Sequence, residues 1–190
     1  EILRVEGDKL TKMQTVSIGF GPRDVMLVQA QAGGYRLLAT PYIGEEVAWI
    51  DWQDSGAGVP KVQKSRWCKS PWHPVKVNKL PQAAGAGIAV GCLDDKRVVA
   101  VSGVDPSAPV RVLATFNAVP RQVRPSPSGQ WLYVALETGG RNARIHMDSG
   151  ELQWIAGSPK GSVSVEPLSD DLVIWGVDGL AMLQRLDAQG

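Results

Sequence analysis

The residues best suited to chemistry lie together in one short segment, from Arg66 to His73. It contains the indoles of Trp67 and Trp72, the thiol of Cys68 and the imidazole of His73. One thiol and one imidazole complete neither a tetrahedral zinc shell nor a nucleophile, base and acid set. We therefore interpret the segment as a loop between structural repeats, with its two tryptophans packed on the rim, rather than as a catalytic centre.

Cys68 and Cys92 are the only two cysteines of the chain. Two cysteines allow at most one intrachain bridge and exclude a disulfide-rich miniature scaffold. The sequence leaves open whether they form a disulfide or whether Cys68 is a buried thiol.

The charges are balanced overall, with a formal net charge of +1, but they are divided along the chain. No acid lies between Asp54 and Asp94, whereas the part that follows His146 is acidic. The basic segment carries Lys61, Lys64, Arg66, Lys69, Lys76 and Lys79. A near-zero net charge argues against a nucleic-acid partner. Lysines beside tryptophans keep a carbohydrate or polyanion ligand open as an alternative.

Other candidate sites are incomplete. His146 and Asp148 can share one strand face, but no nucleophile motif of the Gly-x-Ser-x-Gly type accompanies them. The glycine-rich residues 83–89 lack the Lys-Ser/Thr pair of a phosphate-binding loop. We predict no cofactor and no metal, and we favour a non-enzymatic protein. No apolar run approaches the roughly 20 residues of a membrane span.

Short apolar stretches rich in Val, Ile, Leu and Trp alternate with turn residues along the 190 residues. This pattern is typical of many short β-strands, and 21 Gly with 13 Pro disfavour long helices. We expect a single all-β domain with strands at 2–5, 24–30, 35–43, 46–53, 87–93, 97–102, 110–116, 121–124, 130–136, 141–147, 151–155, 163–166, 172–176 and 180–186. The expected core includes Val25, Leu27, Leu38, Val99, Val101, Leu132, Val134, Ile145, Val173 and Ile174.

The strand groups indicate a repeat of about 40 residues, the span of a four-stranded propeller blade. Pro125 and Pro167, 42 residues apart, each end a short strand before a polar turn and an apolar strand. We predict a β-propeller-like fold of about four blades, at 14–68, 72–116, 117–157 and 158–190, the last completed by residues 1–10. The alternative is a set of consecutive blades from a larger propeller.

Two stretches carry a family resemblance. Pro125 to Val134, followed by Ala143 to Leu152, resembles blades of bacterial β-propeller repeat proteins of the YVTN or quinoprotein-like type. Gly21 to Val28, with Glu46 to Trp52, is similar to an FG-GAP or VCBS blade, although the calcium-binding aspartates of that blade are missing. The resemblance implies an extracytoplasmic, periplasmic or secreted, propeller used for binding.

Residues 59–86 fit the blade pattern poorly, and loops on a rigid scaffold are common binding sites. We therefore expect a protein-binding scaffold module that docks a partner through Arg66, Trp67, Lys69, Trp72 and Lys76. Replacing Trp72 and Arg66 by alanine should then weaken binding of the partner without changing the thermal unfolding of this protein. The rivals are a carbohydrate or polyanion binder and a hydrolase or quinoprotein-like enzyme with a site on the propeller axis.

Overall fold

The computed structural model describes residues 2–18, 21–31, 33–53, 58–83 and 85–186. Asp54 and Asp187, which belong to the charge pattern above, lie outside the described residues. Seventeen strands and no helix are present in the described part of the chain. The all-β prediction is confirmed.

The strands form an N-terminal hairpin and four larger antiparallel sheets, which we number I to IV in chain order. The hairpin joins β1 (Ile2–Glu6) and β2 (Lys9–Gln14). Sheet I contains β3 (Pro22–Gln31), β4 (Gly34–Pro41), β5 (Glu46–Gln53) and β6 (Lys61–Arg66). Sheet II contains β7 (Pro71–Val77), β8 (Gly87–Cys92), β9 (Arg97–Ser102) and β10 (Arg111–Thr115). Sheet III contains β11 (Pro120–Pro125), β12 (Trp131–Leu136), β13 (Ala143–His146) and β14 (Leu152–Trp154). Sheet IV contains β15 (Ser162–Pro167), β16 (Leu172–Val177) and β17 (Leu180–Arg185).

Each sheet is a meander in which neighbouring strands follow one another in the chain. Sheets I to III have four strands, as blades of a propeller would, and sheet IV has three. Pro125 and Pro167 end the first strands of sheets III and IV, where they pair with Leu132 and Val173. The internal match in the sequence therefore marks equivalent positions in consecutive sheets.

Successive sheets pack face to face. We call the face that a sheet turns to the next sheet its forward face, and the opposite one its rear face. One cluster joins Leu38 and Trp49 of sheet I to Val99 of sheet II. A second joins sheets II and III, and a third joins sheet III to Val173 and Trp175 of sheet IV.

Three of the ten expected core residues are not buried. Val25 and Leu27 are 63% and 47% exposed, whereas Val28 is buried against sheet II. Side chains alternate between the two faces of a strand. An error of one residue in choosing the buried set therefore assigns every side chain of the strand to the wrong face. Ile174 is only half-buried. The other seven predicted core residues are buried.

The first strand lies in the hairpin rather than in sheet IV. β1 pairs with β2, and no pairing to β17 occurs among the described residues. The two strands are joined by a tight turn in which Gly7 has a φ of 58°, and closing such a short loop costs little entropy. The expected completion of the last blade by residues 1–10 is therefore not the arrangement in this structure.

Residues 59–86 are not an irregular insertion, because they contain β6 and β7. The prolines of β7 make this strand difficult to recognise from the sequence alone. Pro71 is its first residue, and Pro74 lies where the register shifts between Trp72 and Val75. A strand tolerates proline at its first residue and at a bulge, where the missing N–H is not needed.

Candidate functional site

The segment that sequence analysis singled out joins sheet I to sheet II. Cys68 and Cys92 form a disulfide with a Cα–Cα distance of 5.8 Å. Trp67 is buried beside it in the cluster between the two sheets. The indole N–H groups of Trp67 and Trp49 both donate to the hydroxyl of Ser65, at 3.0 and 2.9 Å. Trp67 therefore helps to fix sheet II on sheet I.

The three cations of the predicted site are exposed but lie on different elements. Arg66 ends β6 and forms an ion pair with Glu45. Lys69 lies in the connection, where its backbone N–H donates to Asp95 Oδ2 at 2.9 Å. Lys76 is an exposed residue of β7. The structure therefore distributes these cations over two sheets and their connection.

Trp72 is buried, with 3% of its surface exposed. The Arg23 and Arg121 guanidinium carbons lie 3.1 and 4.4 Å from its ring centroid, and Tyr42 packs at 6.0 Å. Such cation–π contacts stabilise a cation over an indole face. With so little surface, Trp72 cannot supply a large contact to a partner, and its removal would disturb the fold. The partner contact itself remains a prediction.

His73 continues this cluster from the next position of β7. Its φ of 49° is left-handed, and its backbone N–H donates to Asp24 Oδ2 at 3.1 Å. Its ring Nδ1 lies 3.3 Å from Asp24 Oδ1. Burial of Asp24 raises the pKa of its carboxyl, but the hydrogen bonds and charge of His73 outweigh this and hold that pKa below its usual value. The pair links the first strands of sheets I and II.

The residues that sequence reasoning missed here are Arg23 and Arg121. A signal for them exists in the sequence, because Pro22, Pro71 and Pro120 recur every 49 residues and each opens the first strand of its sheet. The residue after each proline is Arg23, Trp72 or Arg121. Equivalent positions of consecutive sheets thus meet around one indole.

A cavity of about 350 Å³ opens beside this cluster, at the ends of sheets I to III. Its lining is mixed, with Tyr42, Ile43, Leu93, Val119, Ser70 and the charged Asp94, Arg121 and Glu137. Arg121 and Glu137 pair at 3.4 Å, and Ser70 donates to Asp94 at 2.5 Å. The charged groups of the cavity are thus largely satisfied within the protein.

An exposed apolar surface lies instead on sheet IV. Val173 and Trp175 point to the rear face and pack against sheet III. Ile174 must therefore point forward, together with Leu183, its partner on β17. Leu183 is 61% exposed. The forward face of sheet IV thus carries the apolar Leu172, Ile174 and Leu183, flanked by their paired charged residues Glu166 and Arg185. In the described part of the chain it is not covered by another sheet.

The opposite end of the stack is the rear face of sheet I. One row of paired residues crosses all four strands: Leu27, Leu37, Ile50 and Val62. Val16 and Ile18 pack beside this row, and Leu27 and Val62 at its two ends are exposed. The stack thus has an apolar surface at each end.

No protein-family model and no curated protein matches this chain. The described residues contain no helix long and apolar enough to cross a membrane. Within the same residues, no group of three or more His, Cys, Asp or Glu side chains is placed to hold a metal ion.

Proposed function

We propose that this chain is a non-enzymatic protein–protein interaction module, a scaffold component whose docking surface is the forward face and free edge of sheet IV. The observation that supports it most directly is the exposure of Leu183. On the forward face of the third strand, Trp49, Ala100 and Arg144 of sheets I to III are 2%, 0% and 5% exposed. Leu183, in the third strand of sheet IV, is 61% exposed.

The free energy available at this face is considerable. Burying one leucine side chain contributes about 1.5 to 3 kcal/mol. Leu183 lies beside Ile174, and Leu172 shares the same face. An exposed apolar patch of this kind, bordered here by Glu166 and Arg185, favours association with another polypeptide.

The edge of sheet IV adds a second element to the surface. Sheets I to III place a fourth strand outside the third, whereas β17 has no outer neighbour among the described residues. Its sequence, Leu-Ala-Met-Leu-Gln-Arg, contains no proline, and its one charged side chain of the kind that blocks edge pairing is Arg185 at the end of the strand. Leu180 and Met182 on this strand are exposed. A free edge offers backbone N–H and C=O groups to an added strand.

We also propose that the protein works outside the cytoplasm, in the periplasm or after secretion. The support is the disulfide between Cys68 and Cys92, because such bonds persist mainly in oxidising compartments.

The experiment compares three forms of the chain as baits in extracts of the source cells: wild type, Leu183→Glu, and Val112→Glu as a matched control. Val112 is an exposed residue of β10, at the edge of sheet II. A polypeptide that wild type and control retain in defined stoichiometry, the chain itself included, should bind Leu183→Glu at least tenfold more weakly. The same loss must appear with the purified polypeptide. Equal binding to all three forms would overturn the proposal.

A further inference from the structure

Resting on that proposed function, we infer that the partner of the forward face of sheet IV is the rear face of sheet I in a second copy of this chain. The two copies associate head to tail, so that sheet IV of each is followed by sheet I of the other.

The first support is the way the chain is already built. Three times in succession, the forward face of one sheet packs on the rear face of the next through apolar side chains. In the described part of the chain, the two faces that no other sheet covers are one forward face and one rear face, the latter partly covered by Val16 and Ile18. A second copy therefore presents the type of surface that sheet IV lacks, and the intermolecular contact continues the series of internal ones.

The second support is an apolar groove on the rear face of sheet I. An apolar groove of about 220 Å³ lies between this face and Ile2, Val16 and Ile18 of the N-terminal part of the chain. It is lined by Ile2, Val16, Ile18, Pro22, Val25, Leu37 and Ile50. Seven apolar residues without one charged side chain provide a receptor for leucine and isoleucine rather than for a polar ligand.

A head-to-tail contact joins two different surfaces, and such contacts form closed rings or open filaments. Two copies contribute two sets of sheets I to IV, hence eight sheets. Eight lies within the roughly four to eight blades of a propeller ring. We therefore place the closed form at two copies, with both end faces of each copy covered.

The experiment measures the mass of the full chain by light scattering coupled to size-exclusion chromatography, across a concentration series. Wild type and Val112→Glu should have twice the monomer mass of 20.4 kDa. Leu183→Glu on the forward face and Leu27→Glu on the rear face should each weaken association at least tenfold. Both positions are exposed, and circular dichroism checks that the variants remain folded.

Mixing the two variants tests the head-to-tail geometry. Leu27→Glu keeps an intact forward face and Leu183→Glu an intact rear face, so an equimolar mixture should form a heterodimer through one native contact. A dimer that survives Leu27→Glu, or a mixture that stays monomeric, would overturn the inference. A monomeric wild type that binds a different polypeptide through Leu183 would also overturn it and would leave the proposed function standing. A chain that binds nothing through Leu183 would refute both.

Discussion

Asn142 offers a quantitative test of how sheet IV is held on sheet III. It is completely buried just before β13, and its side chain makes three hydrogen bonds. Its Oδ1 accepts from the backbone N–H of Leu136 at 2.9 Å. Its Nδ2 donates to Ser162 Oγ at 2.7 Å and to the carbonyl of Pro159 at 3.2 Å. These contacts connect sheet III to the first residue of sheet IV.

Asn142→Ala removes all three bonds and leaves the N–H of Leu136 buried without a partner. At about 1 kcal/mol for each bond, the expected loss of unfolding free energy is about 3 kcal/mol. Ser162→Ala is the comparison variant. It removes two bonds, the one from Asn142 Nδ2 and the one that Ser162 Oγ donates to the carbonyl of Pro159 at 3.2 Å, and should cost about 2 kcal/mol. Urea denaturation followed by tryptophan fluorescence measures both.

The double variant should show that the two residues are coupled, with a combined cost smaller than the sum of the single costs. Hydrogen exchange in β15 to β17 should also accelerate in Asn142→Ala, because sheet IV loses its attachment. An Asn142→Ala cost no larger than that of Ser162→Ala would refute this account of the sheet III and IV junction.

Three further predictions concern the core, the crosslink and pH. Trp72→Ala should lower the unfolding free energy by about 3 to 5 kcal/mol, as expected for a buried tryptophan, while the exposed Arg66→Ala should change it by less than about 0.5 kcal/mol in the same urea titration. Replacing both cysteines by alanine should cost about 3 kcal/mol for a bridge spanning 24 residues, and an unchanged urea midpoint would contradict this. Hydrogen bonds from Arg36 lower the pKa of Asp51 more than burial raises it. The resulting stabilisation is present above the unfolded pKa of about 3.9 and is lost as pH falls through the lower folded value, so urea midpoints of Asp51→Asn should vary less with pH below about 4 than those of wild type.

The sequence allows prediction of most strands, because turn residues separate short apolar runs with clear boundaries. The expected strand at 97–102 coincides with β9. The face of a strand is harder to assign where both sides are apolar. In β3, Val25 and Leu27 compete with Met26 and Val28, and only packing against sheet II decides which pair is buried.

The candidate site was less predictable, for two physical reasons. Prolines make β7, which also contains a bulge, resemble a loop in the sequence, and this pattern suggests a surface anchor at Trp72, although Trp72 is a core residue. The exposure of Leu183 depends on the absence, within the described residues, of a sheet packed on the forward face of sheet IV, and no local pattern in the sequence encodes that. Single-strand periodicity identifies apolar residues, but the order of the sheets determines which of them remain uncovered.

Photo-crosslinking from position 183 is the most direct test of the claim that the two end faces dock. The full chain carries p-benzoylphenylalanine at this position and is mixed with an isotope-labelled copy, so that intermolecular adducts are distinguished by mass. We predict adducts between the two copies that map to β3 to β6 on sheet I. Adducts confined to one chain, or intermolecular adducts that map to sheet IV itself, would contradict the head-to-tail assembly.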